Sequence, residues 1–168
     1  MECRKGQTHV TSDQRKLIEQ TMTRAKTEFE ANNGSLTPIC FVVHPGGIEA
    51  TPCPWRDRSE KYATYEQLSR IAGERSAEAV LLVTDVWIAK VDPRNDEHLT
   101  LPPRYRSDRT EAINAYLIAP DGLVIANGLW PYLRSGAQIL WGELEISEPN
   151  PSKRERHHQF MIPPWDKF

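Results

Sequence analysis

Four residues near the middle of the chain combine side chains that do chemistry with a spacing that can bring them together: Asp85, Trp87, Arg109 and Glu111. The first two lie late in an apolar run, the last two open the next one, and a polar loop separates the runs. If the runs pair as antiparallel strands with Ala89 near Arg109, then Trp87 lies near Glu111. Asp85 then points to the same face, because side chains alternate sides along a strand. Two readings follow. In one, Trp87 and Arg109 are ligand-binding residues at the end of a sheet, with Arg109 holding an anion or stacking on the indole. In the other, Arg109 pairs with Asp85 or Glu111 and braces the base of the loop, since structural ion pairs gather charges without catalysis.

His44 precedes Pro45-Gly46-Gly47 at the end of another apolar run. Together with Asp85 and Glu111 it could supply the acid and base of a small hydrolase or lyase assembled around residues 92–108. A metal at His44 with Asp85 or Cys40 lacks support, because no HxH, HxxxH or paired-cysteine spacing is present. Neither a metal nor a cofactor is expected. The chain has no phosphate-cradling P-loop, no GxGxxG and no GxSxG elbow. Cys40 lies inside an apolar run and reads as a small buried hydrophobe. Cys53, between two prolines, reads as exposed and has no base beside it.

The elements that must position these residues follow from periodicity. Thr11 with Gln14 forms a capping-box signature, and Leu17, Ile18, Met22, Ala25 and Phe29 recur at helical spacing until Asn33-Gly34. Leu36 to His44 reads as a strand, with Ile48 to Thr51 as a short return. Asp57 with Glu60 opens a second helix that runs to about Arg75. Val80 to Val91 is apolar on both alternating sets, which predicts a central strand covered on both faces. Glu111 to Ala119 and Leu123 to Leu129 flank Pro120-Asp121-Gly122 and read as a hairpin. Ala137 to Ile146 makes a last strand after a turn at Arg134-Ser135-Gly136. Residues 92–108 form either a functional excursion or a packed loop.

The order of helix, strand pair, helix and meander describes a single-domain α+β fold with two helices on an antiparallel sheet of about five strands. Profilin-like and roadblock-like domains share that order. Residues 1–10 read as a flexible start, 11–147 as the domain, and 148–168 as a Pro-rich tail whose Phe160 to Trp165 either tucks over the core or stays loose.

The run from Ala79 to Trp87, followed after a Pro-rich loop by Ser107-Asp108-Arg109-Thr110-Glu111-Ala112, resembles a pattern in uncharacterised bacterial proteins. There, an apolar strand ending in V-S-E-A-W precedes a P-D-R-x-E stretch. Here Thr84-Asp85 stands for Ser-Glu, keeping a hydroxyl and a carboxylate. The resemblance covers roughly Leu36 to Trp130, and it implies domain boundaries but no chemistry.

At 168 residues a single domain buries roughly 70% of its unfolded surface and needs no disulfides. A net charge of −2 gives no global field for nucleic acid or an anionic membrane. The start MECRKGQTHV lacks an apolar signal segment, and no run approaches membrane-spanning length. These features predict a cytoplasmic protein, and the lack of a catalytic constellation, the abundant tryptophans and the free edges of an open sheet predict a non-enzymatic binding or assembly module. Its partner is then another protein or a second copy in a homodimer, with no nucleic acid and no membrane.

Overall fold

The computed structural model describes residues 10–149 and 162–166. Helix α1 (Ser12–Ala31) begins at a reciprocal capping box: the Thr11 hydroxyl accepts from the Gln14 N–H and the Gln14 side chain accepts from the Thr11 N–H, both at 3.1 Å. It ends where Asn33 and Gly34 take positive φ and the Gly34 N–H reaches back to the Phe29 carbonyl. Its apolar stripe of Ile18, Met22, Ala25 and Phe29 is buried.

Strands β1 (Ile39–His44) and β2 (Gly47–Pro52) form a tight hairpin. Helix α2 (Arg58–Glu74) follows, with the Asp57 carboxylate accepting from the Glu60 N–H. The Glu60 carboxylate serves the Arg56 N–H instead of Asp57, so this is a simple N-cap and not the box that the Asp57/Glu60 spacing suggests. Then come β3 (Ala79–Ile88), β4 (Thr110–Ile118), β5 (Val124–Ser135), β6 (Gln138–Trp141) and β7 (Glu145–Ser147). All pairings are antiparallel in one sheet ordered β2-β1-β3-β4-β5-β6, with β7 also on β5.

The single last strand expected over 137–146 is two pieces on the same edge of β5. Tyr132 pairs with Trp141 and Leu129 with Glu145, so β6 to β7 carries one residue more than the strand it follows. The Gly142 N–H still donates to the Pro131 carbonyl across this bulge. Counting both pieces, the sheet has seven strands where about five were expected.

As its doubly apolar pattern predicts, β3 is covered on both faces from Ala79 to Thr84; beyond that the cover ends, with Asp85 and Trp87 exposed, and the strand stops at Ile88 and not at Val91. Ala79, Leu81 and Val83 join Ile113, Ala115 and Leu117 beneath α1. Val80 and Leu82 join Cys40, Val42, Tyr65, Leu68 and Ala72 beneath α2. Ile162 and Trp165 are buried in this second layer, so the described part of the C-terminal stretch tucks over the core. The flexible start proposed for residues 1–10 lies almost wholly outside the described residues. The rest of the tail also lies outside them, apart from Glu148 and Pro149.

Helix α1 approaches β5 closely because residue 128 is glycine. A Cβ there would lie 2.8 Å from Ile18 Cγ2, a stiff β-branched methyl in a fully buried position. Gly128→Ala is therefore expected to cost about 1–3 kcal/mol through overpacking. Urea unfolding measures it, and an unchanged midpoint would mean that α1 stands farther from the sheet.

Candidate functional site

Trp87 pairs with Glu111 and Asp85 with Ile113, the register that places Asp85, Trp87 and Glu111 on one face. That face is the α1 side, and these rows continue past the C-terminal end of the helix. Across the next strand Glu111 faces Tyr132. Two residues further on the same face of β5 stands Arg134.

Arg134, and not Arg109, pairs with the acid. Its Nε donates to Glu111 Oε2 at 2.9 Å and its Nη2 to Oε1 at 3.3 Å, a two-point grip on the carboxylate. Nη2 also donates to the Gly34 carbonyl at 2.9 Å, tying β5 to the turn that ends α1. The hydrogen bond to Glu111 raises the pKa of the guanidinium further. Tyr132 is buried against Phe29, with ring centroids 4.7 Å apart. Burial first, and then the Glu111 charge, push the Tyr132 phenol up to about 12. Asp85 has no ion pair among the described residues. The protein around it strips water from the carboxylate and raises its pKa; its own backbone N–H opposes that shift, and Glu111 adds to it.

The guanidinium of Arg109 lies over the Trp87 ring, 4.5 Å from its centroid, and donates to the Arg104 carbonyl. Of the two readings of Arg109, the stacked one is the geometry found. The proposed pairing with Asp85 or Glu111 is absent because Arg134 already occupies Glu111. Expecting a turn at 134–136 hid this residue, which belongs to a longer β5. Consequently Arg109→Ala is expected to change stability by less than about 1 kcal/mol, the scale of an exposed cation on a ring. Arg134→Ala leaves a largely buried carboxylate unpaired and should cost about 1–3 kcal/mol. Equal midpoints for the two variants in denaturant would contradict this assignment.

The 92–108 connection is an ordered loop held by one buried side chain, Arg106. It contains α3 (Asp96–Thr100), capped by Asn95, and a 3-10 turn at Pro103–Tyr105. Arg106, only 3% exposed, donates from Nε to Asp108 at 2.9 Å and from Nη2 to the Lys90 carbonyl at 2.7 Å. His98 Nδ1 accepts from the Asp92 N–H at 3.0 Å, and its Nε2 lies 3.9 Å from Asp108. Of the loop's side chains only Arg106 is buried; Arg94, Asp96, Glu97 and Arg104 face solvent, and so do Val91, Leu99 and Tyr105, each about 60% exposed. Arg104 lies over the Tyr105 ring at 4.8 Å.

His44 does not join this cluster. Its neighbour Val43 pairs with Ala79, six residues before Asp85 along β3, which at about 3.3 Å per residue separates the two by about 20 Å. His44 Nδ1 accepts from the Gly46 N–H, and Nε2 lies 3.6 Å from Glu49. The acid/base set of Asp85, Glu111 and His44 is therefore not assembled. Cys53 is buried and not exposed, because its N–H extends the hairpin ladder to the Pro38 carbonyl and carries the thiol under α2. Burial pushes that thiol up to about 12. Among the described residues no three His, Cys, Asp or Glu side chains converge as metal ligands, and no helix is long and apolar enough to cross a membrane. An open depression of about 460 Å³ adjoins Arg134, lined by Glu30, Asn33, Gly34 and the β5–β6 turn, and includes neither Asp85 nor Trp87.

Fold and site define a three-layer α+β domain that displays an arginine-stacked tryptophan beside a polar loop with exposed Leu99 and Tyr105. Residues 5–154 match the family described as Bacteriophage lambda protein ea47, and the chain belongs to that family. No curated protein and no solved structure matches the chain.

Proposed function

We propose that this phage-family protein is a non-enzymatic binding module whose contact surface is Trp87 with Arg109 and the adjoining 92–108 loop. The observation that carries the reading is the stack itself: Trp87 is 44% exposed, and its cation has no carboxylate partner among the described residues. Tryptophan, tyrosine and arginine are the side chains that dominate binding energy at protein interfaces. A guanidinium has five N–H donors, so Arg109, with Nη1 on the Arg104 carbonyl, keeps others for a carboxylate. Half of the eight large exposed hydrophobics among the described residues fall between Trp87 and Tyr105, which concentrates apolar contact beside that cation. Asp85, Asp96 and Glu97 in the same region make its charge mixed, which favours a protein partner bearing an acidic side chain over a polyphosphate.

The test compares tagged wild-type protein with Trp87→Ala and Arg109→Ala, purified from phage-bearing bacterial cells. Both variants should fold and both should lose the same co-purifying protein. Identical bound proteins in all three preparations would refute the assignment. A wild-type mass that doubles with concentration in light scattering, and does not double in the variants, would identify the partner as a second copy.

A further inference from the structure

The two outer strands end the sheet in different ways. On β2 the Cys53 N–H donates to the Pro38 carbonyl, and alternation along the ladder then turns the backbone groups of Ile48, Ala50 and Pro52 outward. That edge carries two devices that discourage a further strand: a proline without an N–H at an outward position, and the charged pair of Glu49 with Arg75 at 2.9 Å. On β6 the Gly142 N–H donates to the Pro131 carbonyl. By the same alternation Gln138 and Leu140 bond to β5, while the N–H and C=O groups of Ile139 and Trp141 point outward. These four groups have no backbone partner among the described residues. The strand reads Gln138-Ile139-Leu140-Trp141, with neither proline nor charge. Its Leu140 lies opposite Leu133 of β5, on the sheet face away from α1, and the two are 52% and 61% exposed.

We infer that β6 pairs antiparallel with β6 of a second copy of this chain, about a two-fold axis at Leu140, and joins the two sheets in a transient dimer. The free backbone groups call for a strand, and this sequence fits its own copy. With Leu140 opposite the second copy's Leu140, Ile139 of each copy lies opposite Trp141 of the other, so all four outward groups on each strand are bonded. A shift of two residues either way leaves only one such pair. Leu140 then forms the close, non-hydrogen-bonded pair with its own copy, Cα atoms about 4.5 Å apart. The exposed leucines line up as one row of four across the joint, Leu133 and Leu140 from each side. No like charges meet, since Gln138 falls opposite Gly142 and Ala137 opposite Glu143. The bulge at Gly142 limits the straight edge to four residues. Such an edge buries less than the about 600 Å² per partner at which lasting interfaces begin. The dimer therefore dissociates in the range of about 10 µM to 1 mM. It is independent of the Trp87–Arg109 surface, which lies beyond β4 and β5.

The experiment follows the mass of the full chain by sedimentation equilibrium from about 10 µM to 1 mM. The mass should rise toward twice the monomer and no further. Leu140→Lys sets two ammonium groups against each other at an exposed position and should weaken association about tenfold or more; circular dichroism checks that the variant is folded. Trp87→Ala and Arg109→Ala should associate as the wild type does, which separates this contact from the Trp87 surface. Register is read by disulfide formation under oxidised glutathione in a Cys3→Ser background, where Cys40 and Cys53 are buried. Leu140→Cys should crosslink two copies. Leu133→Cys should not, because its two copies lie three strand spacings apart, about 14 Å. A mass that stays monomeric up to about 1 mM, growth beyond a dimer, association that Leu140→Lys leaves intact, or equal crosslinking at both positions would overturn the inference.

Discussion

Trp165→Ala is expected to be the most damaging single substitution in the second core layer, costing about 3–5 kcal/mol, the range for deleting a buried tryptophan. The indole is 3% exposed. Its Nε1–H donates to the Ala77 carbonyl at 2.9 Å, in the link between α2 and β3, and its backbone N–H donates to the Pro120 carbonyl at 2.9 Å in the β4–β5 turn. The residue thus joins two connections far apart in sequence, its side chain to one and its backbone to the other, and Ile162 and the Pro163 carbonyl, which accepts from Ser69, hold the same segment down. Alanine would open a cavity and leave the Ala77 carbonyl without its donor. Because a domain of this size is stable by about 5–15 kcal/mol, the loss takes about a fifth or more of the margin. Guanidinium unfolding followed by circular dichroism reads it directly. A shift worth less than about 1 kcal/mol would show that residues 162–166 contribute no packing in solution.

The same residue marks a boundary of what sequence patterning reveals. Helix α1, with its capping box and glycine stop, and the doubly apolar β3 were legible because their signals are local and periodic. The β3–β4 register was legible too. Once Ala89 is set against Arg109, the pairing of Trp87 with Glu111 follows from a period of two. Arg134 was not legible, because its role depends on β5 continuing to Ser135, and residues 134–136 look as much like a turn as like the end of a long strand. Ion-pair partners two strands apart leave no spacing rule in the chain. His44 failed in the opposite direction: its strand end lies on the right sheet but at the wrong end, since antiparallel order puts Val43 beside Ala79 and not beside Asp85. Cys53 was misread because flanking prolines suggested an exposed irregular segment, whereas one backbone hydrogen bond to Pro38 keeps the ladder going and turns the thiol inward. Trp165 and Arg106 belong to one further class, single large side chains that anchor an irregular segment, where no periodicity exists to read.

For Arg106 that anchoring can be separated into its parts. Arg106→Ala is expected to cost about 2–4 kcal/mol, combining the loss of a buried stem with a Lys90 carbonyl left without a donor. Arg106→Met keeps most of the stem volume and removes the donors, so it should cost about 1–3 kcal/mol; the difference between the two variants measures packing. Proton linkage supplies an independent check. The Arg106 hydrogen bonds hold the Asp108 carboxyl below the usual carboxylate range. A group whose folded pKa is depressed contributes stability that is present above its unfolded pKa, about 3.9, and is lost as pH falls through the folded value. In both variants Asp108 loses the partner responsible, so wild-type and variant stabilities should differ most near neutral pH and draw closer as pH falls below about 4. Hydrogen exchange should also quicken across 92–108 while α1 and β3 keep their protection, because the clamp acts on the loop and not on the core. Uniform quickening through the whole sheet, or a stability gap that stays constant from pH 7 to about 3, would show that Arg106 acts as a core residue and that its pairing with Asp108 is incidental.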